Sequence, residues 1–371
     1  MSIPDDRTYA LVTGGGTGGH VYPAIAVAEE LVRRGHARAE VQFVGARRGL
    51  EARAVPDAGF AIELLPGRGI RRSLRLAAVR DNLGAAWGLM RAFASAVRIV
   101  RHRRPRVVFG VGGYAALPCT LAARLRSVPA VVHEQNAAPG LTNRLAVRLG
   151  ARAAVSLPGT RLRGAVLTGN PVREAVAAVR RKPAPGRPVI AIVGGSLGAG
   201  RLNDAGLGLY ERWRGRDDVV VRHITGERGY AGCSARLAAI RRPDDALAYE
   251  LVAYEDRMDE LYGRATLLVC RAGAVTVAEL AVTGMPAVLV PLPGAPGDHQ
   301  TRNAQVFVHA GAAVLVPDAE LDGARIDVEL TSLLHASDRL DAMGEAALTL
   351  AHADAAARVA DLVEEAAGDP R

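Results

Sequence analysis

The sequence predicts an α/β protein built from two similarly wound parallel-sheet domains. Short apolar segments of strand length alternate with longer segments rich in Ala, Leu and Arg, which is the pattern of doubly wound βαβ units. A strand, a glycine loop and a helix follow one another near the N terminus and again about half a chain later. The chain has 371 residues, which is long for a single core, so two domains are expected.

The first glycine loop, residues 13–20, follows the apolar segment 9–12 and precedes a helix predicted over residues 23–33. Glycines let backbone N–H groups approach a ligand, and the helix contributes the positive end of its dipole. A phosphate or sugar site is the prediction, and a strand-to-helix turn without a ligand is the alternative. The dinucleotide fingerprint is not met, because no acidic residue closes the second strand where a ribose would bind.

Further strands are predicted in both halves of the chain. They cover residues 41–45, 61–65, 107–110 and 130–133, and then residues 189–193, 219–224, 265–270, 287–290 and 312–316. The pattern pauses near residues 168–173, and a Pro/Gly/basic linker at 180–188 precedes the second glycine loop, residues 194–200. We therefore predict a first domain over residues 1–169 and a second over 170–349. We expect the last helix, about residues 350–371, to pack back on the first domain.

The composition excludes several classes of protein. Aliphatic side chains must build the interior, because 49% of the residues are hydrophobic but only 4% are aromatic. The formal charge is +9, but Lys182 is the only lysine, and an Arg- and Ala-rich composition does not by itself indicate nucleic-acid binding. No apolar segment reaches the roughly 18 to 20 residues of a membrane span, and the N terminus is unlike a signal peptide. We expect a soluble protein that can attach to a surface.

Metal and disulfide sites are not predicted. Cys119, Cys233 and Cys270 are odd in number and far apart, which fits a reducing cytosol and gives neither a disulfide framework nor a zinc spacing. No Asp-X-Asp triplet occurs, so a carboxylate-held metal on a nucleotide diphosphate is not supported. Charge on a leaving diphosphate would be stabilised by backbone amides, helix dipoles and an arginine. We expect no tightly bound cofactor.

A basic and apolar segment occupies residues 68–106, with eleven arginines against the single acid Asp81. From residue 79 onward the apolar positions recur every three or four residues, which predicts one face of a buried helix. That face does not account for Ile70 and Leu74, which with Leu76 lie among arginines and suit an anionic membrane surface. Nucleic acid is the less favoured partner, because aromatic stacking residues are nearly absent there.

Polar and glycine-rich segments follow several predicted strands. Residues 110–114 form a loop that ends in Tyr114, and the segment from His133 to Asn136 ends the next strand. Open parallel sheets bind ligands at the carboxyl ends of their strands, so these segments should lie near the first glycine loop. A cap for the following helix is the alternative for the polar segment.

The second domain contains a similar arrangement at residues 270–279, where a strand passes through a small-residue turn into a helix. Glu279 lies in the first turns of that helix and can accept two hydrogen bonds from a ribose diol. Its alternative is charge complementarity with the helix N terminus, worth about 0.3 to 1 kcal/mol at an exposed position. A Pro/Gly loop at residues 291–297 then precedes a polar helix start at 298–303.

Together these segments resemble the MurG family, the peptidoglycan glycosyltransferases of the GT-B fold, in which two Rossmann-like domains face each other across a cleft. The resemblance covers the chain from about Ala10 to the final helices, and seven motifs in the same order make it specific. They are residues 15–20, 110–114, 133–136 with 140–143, 169–173, 194–196, 271–279 and 298–300.

The resemblance implies transfer of N-acetylglucosamine from UDP-N-acetylglucosamine to the C4 hydroxyl of the muramoyl sugar of lipid I. The reaction inverts the anomeric centre and gives lipid II and UDP on the cytoplasmic face of the membrane. The implied partners are lipid I, the UDP-sugar and the anionic inner leaflet, with the protein bound peripherally and no nucleic acid involved.

The resemblance also implies site residues, position by position. In the C-terminal donor domain it implies Arg173 near the nucleotide, Ser196 on the diphosphate, Tyr254 and the Glu255 backbone on the uracil, and Glu279 on the ribose. Other donor residues are Ala274 and Gln300 on the sugar, with Val275, Thr276, Val277, Ala278 and His299 beside them. Thr17, Gly18, Gly19 and Asn136 approach the donor from the opposite domain. The acceptor or membrane residues are Gly15, Gly16, Tyr114, Ile70, Leu74, Leu76 and Trp87.

Two positions depart from the family pattern, and a third varies within the family. Leu197 stands where a glutamine is common, so a polar diphosphate contact would be missing while backbone donors survive. Glu255 replaces an apolar residue, with little effect expected because only its backbone is implicated. His299 stands where some members carry glutamine.

The acceptor hydroxyl must lose a proton during the attack. His20, at the end of the first glycine loop, is the predicted general base because an unperturbed imidazole pKa is near 6.5. Glu134 is the alternative base.

The function alternatives are a GT-B glycosyltransferase with a different acceptor, a UDP-N-acetylglucosamine epimerase and, least favoured, a nucleic-acid binder. After comparison with the second loop, the diphosphate is assigned to residues 194–200 and the first loop to the acceptor side.

Overall fold

The computed structural model describes residues 8–47, 49–66, 76–181, 186–195 and 198–369, with the backbone alone for residues 76–87. The chain forms two compact units. Met1–Val172 and Ala353–Arg371 form the first unit, and Arg173–His352 form the second. No helix in the described part of the chain combines the length and apolar character needed to span a bilayer.

The first unit contains a seven-stranded parallel sheet of order β3-β2-β1-β4-β5-β6-β7. Its strands are β1 Ala10–Thr13, β2 Val41–Ala46, β3 Ile62–Leu65, β4 Val107–Gly110, β5 Ala130–Glu134, β6 Arg152–Val155 and β7 Val166–Leu167. Every residue of β1 and β4 is buried, as expected for central strands covered on both faces. The first-half strands predicted at residues 41–45, 61–65, 107–110 and 130–133 are therefore confirmed to within one residue at their ends.

Helices cover both faces of this sheet. They are α1 Gly18–Arg33, α2 Glu51–Asp57, α3 Leu76–Arg103, α4 Ala116–Leu125 and α5 Leu141–Arg148. The prediction placed the start of α1 at Pro23, which is wrong: the helix begins at Gly18, with extended Thr17 as its N-cap and Pro23 inside it. Glycine and proline are poor helix formers, so sequence propensity hid the first turn.

The second unit contains a six-stranded parallel sheet of order β10-β9-β8-β11-β12-β13. Its strands are β8 Val189–Val193, β9 Val220–Ile224, β10 Ala248–Val252, β11 Leu267–Cys270, β12 Ala287–Leu289 and β13 Ala313–Leu315. Its helices are α6 Glu174–Ala177, α7 Gly200–Trp213, α8 Glu227–Ile240, α9 Met258–Arg264, α10 Ala274–Thr283, α11 His299–His309, α12 Gly323–Leu334 and α13 Ser337–Leu348. The predicted α/β class with two doubly wound parallel sheets is confirmed.

Three strands escaped the sequence prediction. β6 is alanine-rich, β7 has only two residues, and β7 and β10 each end a sheet. Alanine has low strand propensity, and short edge strands carry little apolar periodicity, so the pattern was too weak to detect.

The last helix, α14 Ala355–Ala367, is part of the first unit. Its buried residues Val359, Ala360, Leu362 and Val363 join the core beneath β1 and β4. On the same helix Asp361 and Glu364 pair with Arg34 at distances of 2.7 and 2.6 Å, and Asp369 beyond its end accepts from the Tyr9 hydroxyl at 2.8 Å. The C-terminal helix therefore completes the core of the first unit.

Candidate active site

Two glycine loops of the first unit touch at the carboxyl ends of adjacent strands. β1 pairs with β4, so the loops that follow them begin side by side. The Gly15 amide donates to the Gly112 carbonyl at 3.3 Å. A side chain on Gly113, whose φ is +81°, would place its Cβ 2.3 Å from the Gly15 carbonyl oxygen. Glycine is needed here because two backbones approach each other closely.

A buried carboxylate holds the first glycine loop from within. Glu51, which is 2% exposed, accepts from the Gly16 amide at 2.7 Å and from the Ala46 amide at 2.9 Å. A Cβ on Gly15 would lie 2.2 Å from the Glu51 carboxyl carbon, so that position requires glycine. The Glu51 side chain therefore already occupies a loop amide that a phosphate would need. Sequence reasoning missed Glu51, because a single acid 35 positions from Gly16 carries no local signal.

Glu134 organises the loop between β5 and α5. One oxygen of its carboxylate accepts from the Asn136 amide at 3.1 Å, and the other accepts from the Gly140 amide and the Asn143 side chain, both at 2.9 Å. The side chain is buried. These hydrogen bonds fix the geometry of the β5–α5 loop.

A chain of neutral side chains links β5 to His20. The Nδ1 atom of His20 lies 2.9 Å from Oε1 of Gln135. The Gln135 amide nitrogen lies 3.1 Å from Nδ1 of His133 and 3.1 Å from the His133 carbonyl oxygen. Nε2 of His133 lies 3.0 Å from the Gly169 carbonyl oxygen. Burial lowers the pKa of His133 to about 4, so its imidazole is neutral at pH 7.

Tyr114 connects three segments of the first unit. Its hydroxyl lies 3.0 Å from the Pro66 carbonyl oxygen and 3.2 Å from that of Gly88, and its ring packs against the core beneath α3 and α4. Burial raises the pKa of this phenol. The Tyr114 hydroxyl therefore holds the segments of Pro66 and Gly88 together.

The remaining first-unit candidates occupy the start of α1 and the β5 loop. Gly18 and Gly19 are the first residues of α1, and Asn136 is half-buried beside Glu134. Ile70 and Leu74 lie outside the described residues, and the side chains of Leu76 and Trp87 lie outside them as well.

In the second unit a buried carboxylate is clamped by two side chains. Glu279, in the second turn of α10, accepts from the Tyr262 hydroxyl at 2.9 Å and from Arg173 at 3.3 Å. Burial raises the pKa of Glu279, and the charge of Arg173 opposes this shift. Burial also raises the pKa of Tyr262 well above its usual value, so the phenol stays protonated and donates. The sequence named Glu279 and Arg173, but Tyr262 was missed because it lies on a different helix, α9.

The rest of α10 presents small residues around this clamp. Ala274 and Val277 are buried, whereas Val275, Thr276 and Ala278 are half-buried. Extended Gly273 precedes the helix as its N-cap. The side chains along this helix are small enough to let a ligand approach its first turns.

The second glycine loop joins β8 to α7. Gly198 has a φ of +78°, and a Cβ there would lie 2.5 Å from the Thr225 carbonyl oxygen. The helix begins at Gly200 after extended Ala199, so the first amides of α7 point toward the loop. Ser196 and Leu197 lie outside the described residues.

Arg271 ties the ends of β11 and β12 together. Its Nη1 donates to the carbonyl oxygens of Val290 and Pro291 at 3.1 and 3.2 Å and pairs with Asp318 at 2.6 Å. This guanidinium therefore holds the strand ends from which the loop at residues 291–297 begins. Asp318 was not identified from the sequence.

The polar helix start at α11 is bound to its own loop. Gln300 accepts from the Leu292 amide at 3.0 Å, and Nδ1 of His299 lies 2.9 Å from the Pro296 carbonyl oxygen. Tyr254 is 49% exposed after β10.

Comparison with known proteins agrees with this architecture. The glycosyltransferase family 28 N-terminal domain matches residues 10–155, and the family 28 C-terminal domain matches residues 189–359. The UDP-N-acetylglucosamine–N-acetylmuramyl-(pentapeptide) pyrophosphoryl-undecaprenol N-acetylglucosamine transferase of Methylococcus capsulatus is 44% identical over 362 residues, covering 96% of this chain and 98% of the relative. The chain belongs to glycosyltransferase family 28.

Solved structures extend the comparison. The crystal structure of MurG from Acinetobacter baumannii shares 30% identity and a TM-score of 0.79, covering 96% of this chain and 99% of that one. A putative UDP-N-acetylglucosamine 2-epimerase from Listeria monocytogenes has a TM-score of 0.67 at 14% identity over 96% of each chain. At that identity the likeness shows the fold alone. The predicted GT-B fold is therefore confirmed.

One departure from the family 28 pattern has a local explanation. The carboxylate of Glu255 pairs with Arg222 on β9, with Nη2 and Oε2 2.7 Å apart, and Arg222 also pairs with Glu250 on β10. The charged side chain that replaces an apolar residue is thus satisfied within its own unit.

Proposed function

We propose that this protein transfers N-acetylglucosamine from UDP-N-acetylglucosamine to the C4 hydroxyl of the muramoyl sugar of lipid I, giving lipid II and UDP with inversion. The observation that carries the proposal is the 44% identity, over nearly the full length of both chains, to an enzyme named for this transfer. The polar clusters at the carboxyl edges of the two sheets supply residues suited to the chemistry.

The donor is assigned to the second unit. The carboxylate of Glu279, held between Tyr262 and Arg173, has the two acceptor oxygens that a ribose diol requires. The amides at the start of α7 and the positive end of its dipole suit the diphosphate. Tyr254 is exposed enough to stack on the uracil, with Glu255 contributing its backbone. Ala274 and Gln300 are the proposed sugar contacts.

The acceptor chemistry is assigned to His20 in the first unit. The acceptor hydroxyl gives its proton to the imidazole while its oxygen forms a bond to the anomeric carbon. The bond between that carbon and the UDP oxygen breaks at the same time, so UDP leaves with the electron pair and the anomeric centre inverts. His20 is preferred to Glu134 as the base, because both oxygens of the Glu134 carboxylate already accept bonds from the β5–α5 loop.

Transfer of radiolabel from UDP-N-acetylglucosamine to lipid I tests the proposed function directly. We expect labelled lipid II when lipid I is the acceptor. We expect no comparable product with a different glycolipid or with a small natural-product acceptor. Formation of UDP-N-acetylmannosamine without any acceptor would instead support an epimerase. Labelling of another acceptor in preference to lipid I would leave the fold assignment intact and overturn the substrate.

We propose that the protein binds peripherally at the cytoplasmic face of the membrane, because its proposed acceptor is linked to a lipid. The segment proposed to contact the anionic leaflet contains Ile70, Leu74, Leu76 and Trp87. Replacing Leu74 and Leu76 with serine should reduce binding to vesicles containing anionic lipid while sparing transfer to a soluble acceptor. Leu125→Ser, on an exposed leucine at the end of α4, is the control. If the wild-type protein, the variant with both Leu74→Ser and Leu76→Ser, and Leu125→Ser bound vesicles equally, this segment would have no role in membrane binding.

A further inference from the structure

We propose that Gln135 is a positioning residue that keeps a proton on Nδ1 of His20 and thereby presents Nε2 as the atom that receives the acceptor proton. The inference rests on the proposed role of His20. Gln135 would not touch the substrate. The inference also assigns the donor and the acceptor in the hydrogen bonds that join His133, Gln135 and His20.

The orientation of the Gln135 amide follows from its fixed partner. Its nitrogen lies 3.1 Å from the His133 carbonyl oxygen, and a carbonyl oxygen only accepts hydrogen bonds. The amide nitrogen must therefore face His133, which leaves Oε1 facing Nδ1 of His20 at 2.9 Å. An amide oxygen also only accepts, so Nδ1 of His20 is the protonated nitrogen.

The far end of the chain gives the same direction independently. Nε2 of His133 lies 3.0 Å from the carbonyl oxygen of Gly169 and 3.1 Å from the Ser156 hydroxyl. Because the carbonyl oxygen only accepts, this nitrogen carries the proton, and the hydroxyl oxygen can accept from it as well. Since buried His133 is neutral, its Nδ1 has a lone pair and accepts from the Gln135 amide nitrogen at 3.1 Å. Turning the amide over would place its oxygen against two acceptors, the His133 carbonyl and the His133 Nδ1. The constraints from Gly169 and from the His133 carbonyl therefore agree.

The tautomer matters because a neutral imidazole has one acceptor nitrogen. With the proton on Nε2, His20 could not take a proton there, and the lone pair of Nδ1 would face the Gln135 oxygen. A bond that selects the correct tautomer and ring orientation is a known requirement for a histidine base. Gln135 is 1% exposed and held at three points, so it is rigid enough to impose this choice. When His20 becomes doubly protonated, its Nδ1–H still donates to the same oxygen.

Nitrogen NMR of the histidine side chains in selectively ¹⁵N-labelled full-length protein tests the proposal, with the His20 signal assigned by its loss in His20→Ala. We expect the wild-type protein to show His20 protonated on Nδ1. In Gln135→Met, which keeps the side-chain length but removes both polar atoms, we expect a shift toward the Nε2-protonated form. We also expect kcat to fall roughly tenfold or more with the donor KM unchanged. Gln42→Met, the same change at a half-buried position of β2, should alter neither signal nor rate.

A wild-type His20 protonated on Nε2 would overturn the proposal even if Gln135→Met did not fold. An unchanged tautomer in folded Gln135→Met, or a changed tautomer with normal kcat, would overturn it as well. The NMR measurement needs no substrate, so its failure is distinct from a failure of lipid I to accept label. If the wild-type protein did not transfer label to lipid I, the proposed function would be refuted, but the tautomer result would still hold.

Discussion

The two units share a fold but place opposite kinds of polar chemistry at the carboxyl edges of their sheets. In the first, the side chains that lead to His20 are neutral: the Gln135 amide and, behind it, the His133 imidazole. In the second, a buried carboxylate is held between a phenol and a guanidinium. In both units the strand–glycine–helix geometry provides positions for polar groups, and the proposed roles, proton transfer in the first unit and donor binding in the second, follow from the side chains at those positions.

The units also resemble each other in one buried polar feature. Each buries a neutral histidine, His133 in the first and His223 in the second. His223 lies between the Tyr249 hydroxyl at 2.8 Å and the Asn203 side-chain oxygen at 3.1 Å. Burial lowers the pKa of each imidazole to about 4. Only the first of these histidines is linked through Gln135 to a candidate catalytic group.

The largest expected effect comes from removing the proposed base. His20→Ala should lower kcat by on the order of 10²- to 10⁴-fold and leave the donor KM unchanged, since general base catalysis typically contributes that much. Steady-state kinetics with UDP-N-acetylglucosamine as the varied substrate measures both constants. His309→Ala, at an exposed position in α11, should behave like the wild-type protein. Near-normal turnover of His20→Ala would show that His20 is not the general base and would leave the first unit without an assigned catalytic group.

Glu279→Ala should have the next largest effect and the opposite kinetic pattern. Losing hydrogen bonds to a carboxylate costs about 1.5 to 3 kcal/mol each, so we expect the donor KM to rise about tenfold or more. The same titration of UDP-N-acetylglucosamine measures it, with Glu250→Ala as the control because that carboxylate is exposed on β10. If the KM of Glu279→Ala were unchanged, the ribose would have to bind elsewhere.

Tyr262→Phe tests how Glu279 is held in the second unit, and we expect a smaller effect than that of Glu279→Ala. It removes the hydroxyl that donates to Glu279 and leaves a buried carboxylate oxygen without that donor. We expect a loss of about 1 to 3 kcal/mol in the free energy of unfolding and a rise of a few-fold in the donor KM. Urea titration and steady-state kinetics check the two effects, with half-exposed Tyr230→Phe as the control. Unchanged values for both would show that Arg173 alone suffices to hold Glu279.

The last expected effect is a pH dependence of stability common to both units. Each buried histidine has a folded pKa of about 4, below the ordinary value near 6.5 in the unfolded chain. Between these values the unfolded state binds more protons, so stability is lost as pH falls from about 6.5 toward 4. The limit is about 1.4 kcal/mol per pH unit for each histidine. Urea titrations at pH values from 7 to 5 give the free energy of unfolding at each pH. We expect this free energy to fall less steeply with pH in His223→Gln than in the wild-type protein. An unchanged pH dependence would assign the acid sensitivity to other groups.

The sequence was sufficient for the fold and for much of the candidate site, for identifiable reasons. Fully apolar strands such as β1 and β4 are buried on both faces, so their pattern is strong. The contact between the two glycine loops followed from the rule that ligand loops gather at strand carboxyl ends.

Other features could not be predicted because they depend on contacts between distant segments. Glu51 meets the first glycine loop only after α2 folds beside it, and Tyr262 meets Glu279 only where α9 and α10 are placed together. Gln135 lies inside a polar motif, but its bond to His20 depends on where the helix α1 begins. A helix start at Gly18 was hidden by the poor helix propensity of the glycines.

The division of labour between the units is tested most directly by titrating UDP calorimetrically into the wild-type protein, His20→Ala and Glu279→Ala. We predict the same Kd for the wild-type protein and His20→Ala, and a Kd at least tenfold higher for Glu279→Ala. A loss of UDP affinity in His20→Ala as large as that in Glu279→Ala would contradict the assignment of proton transfer to the first unit and donor binding to the second.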